Sequence, residues 1–133
     1  MRIATYRHHN TRHVGRVSSD GLHVQAFDVS AEIAHFGALR LLESVVAGGQ
    51  WPAITNQQIA ISDVQLEAPM PVPRRNIWCV GRNYHEHAKE LSTSVFKDSN
   101  TNTQAWPIVF TKVPECVVGP FDAVHLQIGR AHV

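Results

Sequence analysis

The stretch with the strongest chemical signal reads Cys79-Val80-Gly81-Arg82-Asn83-Tyr84-His85-Glu86-His87-Ala88-Lys89-Glu90. His87 and Glu90 stand three positions apart, and on a helix that spacing puts both side chains on one face. A carboxylate beside an imidazole raises its basicity and fixes its tautomer, which suits the histidine to take a proton from water as a general base. Taken alone, such a pair is more often a solvated one worth about 0.2–0.5 kcal/mol. His85 and His87 are two positions apart, which on a helix sends them to nearly opposite sides and argues against a shared metal. Their spacing is also too short for the H-E-x-x-H arrangement of zinc proteases. His85 is expected at the surface. Arg82 and Lys112 offer a guanidinium and an ammonium to a substrate carboxylate, with an ordinary surface charge the equal alternative for each. Tyr84 and Trp78 are expected to be packing residues. His8, His9 and His13 have no acidic partners at metal-site spacing, so exposed strand or turn positions are expected for them.

Holding such a pair in place takes a strand that stops and a helix that starts. Residues 76–81 read as a buried strand ending at Gly81, and 83–91 as a short helix. Residues 92–105 are polar and without period, which predicts a mobile surface loop of the kind that covers sites. Residues 106–113 and 116–118 are further strand candidates, with Pro114 and Gly119-Pro120 as breaks. Upstream, residues 2–7 and 13–18 are β-prone, and Ser19-Asp20-Gly21 is a turn signal leading to a third run, 22–27; together they predict a small antiparallel sheet. From 36 to 47, Phe36, Leu39, Leu42, Val45 and Val46 recur at helical spacing, and Gly48-Gly49 supplies a left-handed stop. Residues 64–68 alternate as a strand. Pro69, Pro71 and Pro73 then favour an extended connector, which is taken as the domain boundary.

The strand-to-helix stretch resembles the signature of the fumarylacetoacetate hydrolase family, roughly VG-x-NY-x-x-H-x-x-E, with Val80, Gly81, Asn83, Tyr84, His87 and Glu90 in place. A second piece, Pro107-Ile108-Val109-Phe110-Thr111-Lys112-Val113-Pro114 followed by Val118-Gly119-Pro120 and Asp122, is similar to the family's next strand and turn. Residues 1–73 are similar in pattern to a small N-terminal domain that many bacterial members carry. The resemblance implies an α+β fold: a small antiparallel N-terminal domain with one helix over 1–73, then the truncated start of a mixed β-roll catalytic domain over 74–126. It implies hydrolysis of a carbon–carbon bond in an acylpyruvate or fumarylacetoacetate-type diketo acid, with His87 as base and Glu90 orienting it. Mg²⁺ or Mn²⁺ would hold the oxo-acid end and stabilise the departing enolate, and the parent enzyme would be a homodimer. Relatives use similar equipment for decarboxylation or isomerisation of hydroxy-dienoate diacids in aromatic degradation, and a non-catalytic β-rich module is the alternative from another class.

Family members bind their cation through a Glu-x-Glu pair on a later strand and a further acidic residue, and no such pair occurs in this sequence. Hard cations need several oxygen ligands. Asp98, Glu115 and Asp122 are isolated and receive no metal role. The chain is accordingly expected to be an N-terminal fragment, inactive as it stands, with open strand edges that invite aggregation.

The tail adds a separate expectation. One way to encode Ile128-Gly129-Arg130-Ala131-His132-Val133 is ATC GGA AGA GCA CAC GTC, a string inside a common short-read sequencing adapter, and a CAG codon for Gln127 extends the agreement upstream. Residues 127–133 are therefore read as adapter sequence, with the natural protein continuing differently after about position 126.

Composition sets the remaining bounds. In 133 residues, twelve Lys and Arg stand against eleven Asp and Glu, a net charge of +1. That balance supplies no long-range field to gather nucleic acid or an anionic membrane. The apolar runs are too short to span a bilayer and the first residues lack the apolar stretch of a signal peptide, so the cytoplasm is the expected location. Cys79 and Cys116 are not spaced as a redox pair or a zinc knuckle and are read as small buried hydrophobes without a disulfide.

Overall fold

The computed structural model describes residues 1–81 and 108–125. The expected helix at 83–91, the expected loop at 92–105 and the tail at 127–133 lie outside the described residues. The chain divides into two compact units, Met1–Arg74 with the described residues from Glu115 onward, and Arg75–Pro114.

The first unit is a five-stranded antiparallel sheet of order β4-β3-β2-β1-β5. Its strands are β1 (Arg2–His8), β2 (Thr11–Val17), β3 (His23–Phe27), β4 (Ile54–Ala60) and β5 (Gln65–Glu67). β1 and β2 pair from Arg2↔Val17 to His8↔Thr11. Only His9 and Asn10 lie between them, both at positive φ, 46° and 63°. Positive φ at both loop residues is the backbone of a tight two-residue hairpin whose twist matches its strands, and Asn tolerates it well. The turn before β3 is held by the Asp20 carboxylate, which accepts from the Ser18 hydroxyl and from the Leu22 N–H.

Two helices follow β3 where one was expected: α1 (Ala31–His35) and α2 (Ala38–Val46). Ser30 caps α1 by accepting from the Ile33 N–H. Gly37, at φ 59° and ψ −138°, breaks the helical path, so Phe36 caps α1 instead of opening the next helix. The break also changes which face is packed. Ala38 and Leu41 are buried, whereas Leu42 and Val46 of the expected stripe are exposed. Phe36 instead carries the Arg40 guanidinium over its ring, 4.5 Å from the centroid. The C-terminal stop falls where expected, with Gly48 at φ 92° and its N–H donating to the Val45 carbonyl.

The core lies between helix α2 and one face of the sheet. Val14, Phe27, Ala38 and Leu41 are buried there, flanked by Ile3, Val29, Trp51 and Ile54. Phe27 and Trp51 stack with ring centroids 5.8 Å apart. In the segment after Glu115, the Gly119 N–H donates to the Asp122 carboxylate at 2.7 Å. A side chain added at Gly119 would meet the Glu67 Cα at 3.0 Å, so this turn passes against the end of β5. The strand expected at 116–118 does not form. Pro114–Cys116 tightens into a 3₁₀ turn, because the Pro114 ring cannot donate to a ladder and Gly119-Pro120 closes the stretch within a few residues.

The second unit contains β6 (Ile77–Gly81) and β7 (Ile108–Lys112), an antiparallel pair in register from Ile77↔Lys112 to Gly81↔Ile108. The expected buried strand is here an exposed one: Trp78 keeps 74% and Val80 51% of its surface accessible. A two-stranded ladder has two faces, and among the described residues of this unit no third layer covers either. The cysteines depart from expectation for related reasons. Cys79 is half-buried on this ladder and Cys116 is exposed on its 3₁₀ turn, both as free thiols.

Candidate active site

The described part of the candidate site is the ladder that leads into the motif. β6 brings the chain to Gly81, and the next residues in sequence are Arg82 and the run to Glu90. Arg82, His85, His87 and Glu90 lie outside the described residues, so the helical pairing of His87 with Glu90 is carried by their spacing alone.

Lys112 is exposed at the last position of β7. It stands opposite Ile77, at the far end of the ladder from Gly81. Four residues of strand separate those ends, about 13 Å at ~3.3 Å per residue. The ladder therefore does not bring Lys112 to the point where the motif begins. Trp78, expected to pack, faces outward opposite Thr111.

The early histidines divide. His9 is exposed in the β1–β2 turn, as expected, while His8 and His13 are half-buried on the strands. His13 is a correction to its expected exposed position: its ring stacks on Tyr6 at 5.5 Å, because the two residues are cross-strand partners. Burial, together with the neighbouring His8, holds the His13 imidazole below its usual value. The Tyr6 hydroxyl is buried without a hydrogen-bond partner among the described residues, and burial pushes its pKa up. Among the described residues no group of three or more His, Cys, Asp or Glu could hold a metal ion. The described donor set therefore does not fit Mg²⁺ or Mn²⁺.

One charged centre escaped the sequence reading. Glu67 accepts from Arg7 Nε at 3.1 Å and Arg12 Nη2 at 3.0 Å, and its second oxygen accepts from Arg12 Nε. Arg12 also donates to the His35 carbonyl at 2.8 Å. The hydrogen bonds from Arg12 hold the Glu67 carboxyl below its usual range, against the opposing effect of burial. Glu67's partners are arginines on the neighbouring strands, so it joins β5 to β1 and β2, and Arg12 extends the link to the end of α1. The only sequence signal for Glu67 is a carboxylate inside an alternating strand.

An α+β protein thus emerges, whose second unit opens with a strand feeding a histidine–carboxylate motif. Residues 76–133 match the family model for the fumarylacetoacetate (FAA) hydrolase C-terminal domain, a range that includes the whole motif, both strands of the ladder and the tail. Over those residues the chain is similar to the fumarylacetoacetate hydrolase family.

Oxaloacetate tautomerase YisK of Bacillus subtilis is 36% identical over 80 residues, 56% of this chain and 25% of that protein. The mitochondrial oxaloacetate tautomerase FAHD2B of Homo sapiens is 38% identical over 65 residues, 49% of this chain and 18% of its own length. The Xenopus laevis mitochondrial oxaloacetate tautomerase fahd2 is 29% identical over 117 residues, 85% of this chain and 34% of that protein. Among solved structures, a fumarylacetoacetate hydrolase from psychrophilic Exiguobacterium antarcticum aligns over 92% of this chain and 39% of its own, with 25% identity and a TM-score of 0.51. The chain spans between about a fifth and two fifths of the length of these relatives. Among the described residues no helix is long and apolar enough to cross a membrane.

Proposed function

We propose that the complete enzyme carrying this segment moves a proton beside the carbonyl of a small 2-oxo acid, interconverting its enol and keto forms. The observation that carries this reading is that relatives from a bacterium, an amphibian and human, all overlapping this chain, are named oxaloacetate tautomerases. The chemistry asks little beyond one base and a way to hold carboxylates. His87 accepts the proton from the enol oxygen, and carbon 3 gains one as the carbonyl forms, so the carbon skeleton is untouched and no water is consumed. Glu90 accepts a hydrogen bond from the other ring nitrogen, which fixes the tautomer and steadies the imidazolium. Arg82 directly follows the glycine that ends β6 and is the better candidate for a substrate carboxylate; Lys112, at the other end of the ladder, is the weaker one.

Hydrolysis of a carbon–carbon bond in an acylpyruvate-type acid is the second reading, favoured by the fumarylacetoacetate hydrolase that aligns over most of this chain. The same pair would then deprotonate water for attack on a carbonyl. A full-length enzyme assayed with Mg²⁺ by NMR separates the two. The proposal expects accelerated keto–enol exchange of oxaloacetate with the skeleton intact. Release of pyruvate and a second acid from an acylpyruvate, or of carbon dioxide from a hydroxy-dienoate diacid, without enhanced exchange on oxaloacetate, overturns it.

A further inference from the structure

Helix α2 begins without a side-chain cap, since its N-cap residue is Gly37. Its first N–H, on Ala38, donates instead to the carbonyl of Pro69 at 2.8 Å, from a residue far along the chain. The same carbonyl accepts the Thr5 hydroxyl at 2.9 Å. Both lone pairs of Pro69 are thus used, one by a helix end that would otherwise lack a partner and one by a side chain only 1% exposed. Gly37 makes the approach possible. A side chain there would sit 2.5 Å from the Pro69 oxygen, 2.6 Å from the Thr5 hydroxyl and 2.7 Å from Pro71 Cδ, and φ 59° with ψ −138° is glycine territory in any case.

Five residues on, the connector touches the same helix again. Arg74 Nη2 donates to Glu43 Oε2 at 2.7 Å, and Arg40 Nη1 lies 3.5 Å from that oxygen. These groups are roughly half exposed, so the pair is weak and screened by salt. The two attachments differ in kind: a buried pair of hydrogen bonds to a fixed carbonyl, and a solvated ion pair.

We propose that Pro69–Arg74 is a strap on helix α2, pinned at Pro69 and clasped at Arg74, and that the clasp opens while the pin and the sheet stay closed. The proposal goes beyond the assigned chemistry and is independent of it. Trypsin reads the clasp directly, because the protease must take the Arg74 guanidinium into its own specificity pocket and so can cut only after that side chain leaves Glu43. Amide exchange at Ala38 reads the pin.

The test uses the full 133-residue chain, with cleavage between Arg74 and Arg75 followed by mass spectrometry. Glu43→Gln is expected to speed that cleavage about two- to five-fold, the range for loss of an exposed ion pair, with exchange at Ala38 unchanged. Thr5→Val is expected to speed exchange at Ala38 at least about five-fold while Val14 and Val24 amides keep their protection, and Thr5→Ser to restore it. Unchanged cleavage in Glu43→Gln overturns the clasp. Equal acceleration at Ala38, Val14 and Val24 in either variant overturns the separation of pin from clasp, since opening would then be global. Should Thr5→Val not fold, Glu43→Gln, on an exposed surface, still decides.

Discussion

Arg7 and Arg12 face each other across β1 and β2, and like charges in that position repel. Glu67 turns the repulsion into a three-residue bridge. Replacing it with Gln keeps the shape and leaves two guanidiniums opposed, so Glu67→Gln should lower stability by about 1–2 kcal/mol at neutral pH in chemical denaturation, a figure discounted for the exposed part of Arg7. The pH dependence has a definite sign. The Glu67 carboxyl is held low in the folded state, so its contribution is complete above the ordinary value of 4.5 and is lost as pH falls through the lower folded one. The gap between wild type and Glu67→Gln should therefore be constant near neutrality and close in acid. At this scale the sequence showed some residues and hid others. His87 and Glu90 are proposed from helical spacing, which is local information. Glu67 could not be found that way, because the partners that define it lie 60 and 55 residues away.

Elements were legible wherever their signal was periodic or carried by a turn. β1, β2, β3 and β5 follow alternation and the Ser19-Asp20-Gly21 turn. β4 was missed because its middle, Asn56, Gln57 and Gln58, is polar and exposed, as suits the edge of a sheet but offers no alternation to read. The helix expected over 36–47 starts only at Ala38, after a separate α1 that was not foreseen, and its first N–H is bonded to the Pro69 carbonyl, a tertiary contact no local pattern contains. Gly48 is the opposite case, a stop written locally. Nothing lies within 4 Å of a side chain added at Gly48, so Gly48→Ala should act through backbone strain alone. A loss of about 1 kcal/mol is expected by thermal unfolding. No loss at all would mean that the helix end reorganises.

At the scale of the whole molecule, the described residues of the two units differ in how much apolar surface they bury. Met1–Arg74 buries Tyr6, Val14, Val24, Phe27 and Leu41 around a sheet with helices on it. Arg75–Pro114 contributes a ladder whose apolar residues Trp78, Val80, Val109 and Phe110 stay accessible. The stretches that match this chain make up 25% and 18% of two of its relatives. The chemistry proposed above therefore belongs to the complete enzyme, and its core is that His87, poised by Glu90, moves the proton. The most direct measurement is turnover of oxaloacetate enol by the full-length protein bearing His87→Ala beside one bearing His85→Ala. Turnover is expected to fall about 10²–10⁴-fold in His87→Ala, the usual worth of a general base, and to stay close to wild type in His85→Ala. Equal losses in the two variants, or full activity in His87→Ala, would contradict it.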